Sequence, residues 1–132
     1  MKEYLQKLWR LNEFIESNKR QLLELRRISE SIGGSNFEER VKGGTLENHL
    51  ETTIAKIVDL EAEIREELDA YITLKGEILS AISRHSDEDE SLLLKLRYVE
   101  FMTWEQIAEK MNYSTRQIYR LHKDALNNFK LQ

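Results

Sequence analysis

The sequence predicts an all-α protein, a long N-terminal antiparallel helical hairpin followed by a small C-terminal helix-turn-helix domain. Three observations carry that expectation. The 132 residues include no proline, so helices can run long without a breaker or a kink. Two stretches repeat apolar residues in alternating steps of four and three, the spacing of a heptad seam. A third stretch, "TWEQIAEKMNYSTRQIYRLHKDAL", sets two short amphipathic patterns on either side of a three-residue break.

In the first helix, positions 4, 8, 11, 15, 18, 22, 25, 29 and 32 form the seam, held by Tyr4, Leu8, Leu11, Ile15, Asn18, Leu22, Leu25, Ser29 and Ile32. The second seam is placed at Leu50, Ile54, Ile57, Glu61, Ile64, Leu68, Tyr71, Lys75, Ile78 and Ile82. At 1.5 Å per residue the two helices extend roughly 45 and 55 Å. Further apolar residues flank both seams: Trp9, Phe14 and Leu23 on the first, Val58, Leu60, Ile72 and Leu79 on the second. A stripe that wide exceeds what a two-helix contact covers, so a homodimer or higher homo-oligomer is expected. Asn18, Glu61 and Lys75 have two readings: they fix register and partner, or they lie at bundle edges where polar residues cost little.

Between the helices lies "GGSNFEERVKGG", residues 33–44, read as a connector. Gly33-Gly34 is suited to stop the first helix, and Thr45 with Asn48 to open the second. The glycines lack the spacing and the preceding strand of a phosphate loop. The next break, "RHSDEDES", reads as a solvated hinge with its carboxylates at the start of the following helix, where the helix dipole favours negative charge. It lacks the alternating ligands and central glycine of a calcium loop. The domain boundary is therefore expected near residue 86, with 1–85 as an oligomerisation region and 86–132 as the compact tail.

Composition narrows the function. There is no cysteine, hence no disulfide, thiolate metal site or cysteine nucleophile. His49, His85 and His122 are scattered, with no second histidine or carboxylate at ligand spacing, so neither a metal nor a cofactor is expected. No nucleophile-and-base pairing rises above chance, and an enzyme is not expected. The N-terminal "MKEYLQKLWRLNEF" lacks the apolar core of a signal peptide, and no segment suits a membrane span, so a cytoplasmic protein is expected. The net charge of −4 divides unevenly: residues 1–90 carry a balance of −7 and residues 91–132 one of +3. Such an asymmetry directs a polyanionic partner to the tail.

Within the tail, Leu92, Leu93, Leu96 and Val99 or Tyr98 mark one helix from Ser91 to about Phe101-Met102. Thr103 with Gln106, and Ser114 with Gln117, each have the spacing of a capping box. The helix after Thr103 is expected to bury Trp104, Ile107, Ala108 and Met111. Asn112-Tyr113 turns the chain, and the last helix buries Ile118, Leu121, Ala125, Leu126 and Phe129. Thr115, Arg116, Tyr119, Arg120 and Lys123 then share the outer face of that helix. Together with Gln117 they are the candidate DNA-binding residues. Arginine pairs bidentately with guanine, Thr115 and Tyr119 suit a thymine methyl or a phosphate, and Lys123 and Lys130 suit phosphates further along.

The order "LRY…TWEQIA…S…QIYRLHKDAL" resembles the fourth conserved region of bacterial sigma factors, over roughly residues 91–130. With its acidic helical front half, the whole chain resembles the ArpU-like small phage and prophage regulators of Gram-positive bacteria. The resemblance implies a transcriptional regulator that binds double-stranded DNA through Thr115, Arg116, Tyr119, Arg120 and Lys123. It adds RNA polymerase as a further candidate partner. No sigma region for the downstream promoter element or for strand opening is present, so a complete sigma factor is not expected. Two rivals fit the same outline: a small terminase-like packaging subunit, which forms large rings, and a coiled-coil adaptor with a vestigial helix-turn-helix.

Overall fold

A computed structural model describes residues 1–32 and 45–130, the side chains of 45 and 46 excepted. The expectations for Gly33-Gly34, for the 33–44 connector and for the Thr45 cap lie outside these residues. The described chain is all-helical and holds no strand: α1 Lys2–Ile32, α2 Thr45–Ser83, α3 Glu88–Tyr98, α4 Trp104–Met111 and α5 Thr115–Asn128. None of these helices is long and apolar enough to cross a membrane. The chain forms two compact units, Glu13–Asp69 and the remainder, Met1–Asn12 with Ala70 onward.

In the Glu13–Asp69 unit, α1 meets α2 along the expected face of α1. Ile15 is buried, while Asn18, Leu22, Leu25 and Ser29 are half-buried. On α2 the inner seam differs from the expected one. Ile57 and Ile64 lie inside as anticipated, but the alternate positions are Thr53, Leu60 and Glu67 instead of Ile54, Glu61 and Leu68. Each alternate position thus steps back by one residue. Thr53 tolerates burial because its hydroxyl donates to the His49 carbonyl at 2.7 Å, and Glu67 accepts from the Asn18 amide at 2.7 Å. Polar residues whose hydrogen bonds are met can sit inside, which frees Ile54 and Leu68 to face outward. Asn18 thereby bonds across the seam, and Glu61 accepts from Arg26 at the exposed rim at 3.4 Å.

The other unit has two apolar clusters. In the first, Leu5 and Leu8 of α1 join Ile78, Ala81 and Ile82 of α2, Leu94, Tyr98 and Val99 of the α3 region, and Ala125 and Phe129 at the end of the chain. The second unites Leu93 and Leu96 of α3 with Ile107 and Ala108 of α4 and Ile118 of α5. Because α3 supplies both clusters from adjacent residues, it is buried on two sides. Its residues Leu93, Leu94 and Leu96 are almost wholly inaccessible, whereas Leu92, expected inside, is exposed.

α3 also begins earlier than expected. Asp87 caps it, its carboxylate accepting from the Glu90 amide at 2.9 Å. Glu88, Asp89 and Glu90 fill the first turn, where a helix favours carboxylates. Only Arg84 to Asp87 remain as a link between helices, and the hinge is not solvated throughout. Glu90 is buried against His85, Oε1 to Nε2 at 2.7 Å, and also accepts from the Asn128 amide at 3.2 Å. The helix ends at Tyr98 rather than at Met102 because Phe101 adopts a left-handed conformation, φ 59°.

Candidate nucleic-acid interface

α4 and α5 owe their starting points to side chains. The Thr103 hydroxyl accepts from the Gln106 amide at 3.2 Å, and the Thr103 amide donates to Gln106 Oε1 at 2.9 Å. At Ser114 the same pair of bonds forms with Gln117, at 3.2 and 2.8 Å. Both capping boxes read from the sequence are present. Between them Asn112 closes α4 in the left-handed region, φ 59°, its amide reaching back to the Ala108 and Glu109 carbonyls. Asparagine tolerates that conformation better than most residues. Tyr113 then donates its hydroxyl to Asp89 at 2.6 Å, which ties the turn to the first residues of α3 and holds the phenol above its ordinary pKa.

Ile118 and Ala125 of α5 are fully buried, Leu121 and Leu126 partly so. Trp104 and Met111, expected inside α4, are half-buried. On the opposite side Thr115, Arg116, Gln117, Tyr119, Arg120 and Lys123 are all exposed. Among the described residues, Arg116, Arg120 and Lys123 form no ion pair. Gln117 differs from the others, because its side-chain oxygen is held by the cap.

A network under this face was not anticipated from the sequence. His122 is buried and bonds through Nε2 to the Tyr98 hydroxyl at 2.6 Å. Burial pushes the imidazole down to about 4, with the charges of Lys2 and Arg97 adding to the effect, and burial pushes the Tyr98 phenol up to about 12. At neutral pH the phenol therefore donates and the neutral imidazole accepts. Trp104 meets His122 edge-on at 4.5 Å and Tyr119 edge-on at 5.6 Å. Arg97 stacks over Trp104 at 4.3 Å and donates to the Met102 carbonyl at 2.8 Å. The Tyr119 ring is thus held from beneath while its other half stays exposed. Only His122, one turn from Ile118 on the buried side, hinted at this network, as a polar residue in an apolar row.

Chemically, the face offers two guanidinium groups, one ammonium and a phenol on adjacent turns of one helix. Such a set suits phosphates and base edges. It has no nucleophile beside a base. Among the described residues no group of histidines and carboxylates is arranged to hold a metal ion. Residues 30–130 match the sequence model of the family described as "Protein of unknown function (DUF1492)", and the chain belongs to that family. Comparison with curated proteins and with solved structures gave no match.

Proposed function

We propose that this DUF1492-family chain is a sequence-specific, double-stranded DNA-binding transcriptional regulator of the phage or prophage type. In this reading α4 and α5 form a helix-turn-helix related to sigma region four, and α5 enters the major groove. The long helices α1 and α2 form the antiparallel hairpin through which copies associate. Functionally the chain divides near residue 86, with self-association assigned to 1–85 and recognition to 86–132. Cytoplasmic DNA is the partner, and contact with RNA polymerase is an extension of the same role.

One observation carries the proposal. Ser114 fixes the first turn of α5, so Arg116, Tyr119, Arg120 and Lys123 project outward together, with no ion pair to the three cations among the described residues. A recognition helix presents its N-terminal residues to base edges in this way. Self-association has a motive, since one module makes few phosphate contacts and two linked modules gain affinity through effective concentration.

The test is selection of bound fragments from phage and host genomic DNA, followed by titration of the selected duplex at several salt concentrations. The proposal expects one recurring sequence and a steep fall of affinity with salt, with Lys123→Ala reducing the slope of log K against log salt by about one. A wild-type slope near zero, or fragments sharing no sequence, would overturn it.

A further inference from the structure

Two residues that the sequence assigned to the inner seam of α2, Ile54 and Leu68, and two that it placed beside the seam, Val58 and Ile72, form a second stripe on the outside. Ile54, Val58, Leu68 and Ile72 are 46%, 56%, 36% and 66% exposed. They recur along one flank of a single helix, with Glu61 and Arg65 at its middle. The order is palindromic in chemistry. Ile54 and Ile72, Val58 and Leu68, and Glu61 and Arg65 are three pairs, each centred on position 63. Apolar residues lie at both ends, and the central pair has opposite charges.

A contact between two copies related by a two-fold axis must be self-complementary, residue i of one meeting residue j of the other and the reverse. We propose that this flank of α2 is a homodimer interface, in which two α2 helices cross antiparallel about a two-fold axis at the level of Glu63. Ile54 then meets the partner's Ile72, Val58 meets the partner's Leu68, and Glu61 meets the partner's Arg65, each twice. Like charges would face each other if α2 paired parallel with itself in register, and the apolar pairs would not be exchanged. The stripe spans roughly 27 Å of helix, enough to bury several turns from each copy. Glu61 is already oriented by Arg26 at 3.4 Å, at the rim of the same flank. Arriving on its other side, the partner's Arg65 makes a charge network of the kind that sets orientation at helical interfaces.

This deepens the self-association in the reading above by naming its face, partner and register. The test uses the full chain, with sedimentation equilibrium for association and circular dichroism for helix content. Val58→Asp places a charge in the contact and should weaken self-association about 100-fold with helix content unchanged. Glu61→Arg and Arg65→Glu, made singly, should each weaken it about 10-fold by opposing like charges, and the double swap should restore most of the loss. A monomeric wild type at 100-fold above micromolar concentration would overturn the proposal. So would Val58→Asp that associates like the wild type, or a double swap no better than the singles. In the second case a wild type that still dimerises and binds DNA keeps the functional reading and moves the interface elsewhere.

Discussion

The tail and the Glu13–Asp69 unit are both helical, but they meet their physical requirements differently. In the tail, α3, α4 and α5 close one apolar cluster by themselves and a second with Leu5 and Leu8 of α1 and the end of α2, and hydroxyl caps fix both short helices. On the outer face of α5 it leaves Arg116, Tyr119, Arg120 and Lys123 exposed. The Glu13–Asp69 unit has one seam, partly polar, and leaves Phe14, Leu23, Ile28, Ile54, Val58 and Leu68 in the open. The tail therefore meets its apolar partners within one copy, whereas the long helices hold large apolar side chains that stay exposed among the described residues. A closed core with exposed guanidinium and ammonium groups on α5 suits a polyanion, and an exposed apolar stripe suits another apolar surface.

The contrast breaks first at the core. Ile118→Ala, at a fully buried site shared by α3, α4 and α5, should cost about 2–5 kcal/mol of stability in denaturant unfolding. Leu8→Ala should cost nearly as much, because Leu8 lies in one cluster with Leu94, Tyr98 and Ala125 although it is near the other end of the sequence. For the same reason a fragment of residues 86–132 should unfold at lower temperature than the whole chain.

Protonation gives the next effect in size. His122 titrates near 4 when folded and near 6.5 in an unfolded chain. The unfolded chain therefore binds its proton first as pH falls. The His122 contribution to stability is complete above pH 6.5 and is lost between about 6.5 and 4, amounting to at most about 3 kcal/mol. His122→Gln keeps a hydrogen-bond acceptor without a titration in this range. The difference in stability between wild type and variant should shrink over that window, and a difference that stays constant would show that His122 is not buried neutral.

Smaller effects separate caps from the open apolar face. Thr103→Ala and Ser114→Ala should each cost about 1 kcal/mol, and Ser114→Ala should also weaken DNA binding by loosening the start of α5. Phe14→Ala should change monomer stability by no more than about 0.5 kcal/mol, since the ring is 62% exposed. A loss of several kcal/mol at Phe14 would erase the distinction between the two regions.

Much of the helical framework was legible because its signals are local. Threonine or serine with glutamine three residues later announced α4 and α5, and the α1 seam followed from its spacing. The α2 seam went astray by one residue at alternate positions because apolar character favours Ile54 over Thr53 and Leu68 over Glu67, and the heptad register they set carried Glu61 in place of Leu60. The choice rests on hydrogen bonds to the His49 carbonyl and to Asn18, and no local pattern displays them. The pairs His85–Glu90 and Tyr98–His122, and the union of Leu5 and Leu8 with α3 and α5, are tertiary in the same sense. Of the candidate site, the exposed residues of α5 were readable from helical spacing. The Arg97–Trp104–His122 support beneath Tyr119 was not, since it joins three helices.

If the outer face of α5 reads DNA sequence, the loss of Arg120 should show it. Arg116 and Arg120 are four residues apart in the first two turns after Ser114, both exposed. An arginine so placed gains about 1–3 kcal/mol of discrimination from the paired acceptors of guanine. The measurement is the affinity of wild type and Arg120→Ala for the selected duplex and for a scrambled duplex of equal length, at one salt concentration. The loss on the selected duplex should be about 10-fold or more greater than on the scrambled one, with relaxed preference at one or two base pairs. An equal loss on both would mean that Arg120 holds only the backbone, and would contradict sequence reading by this face.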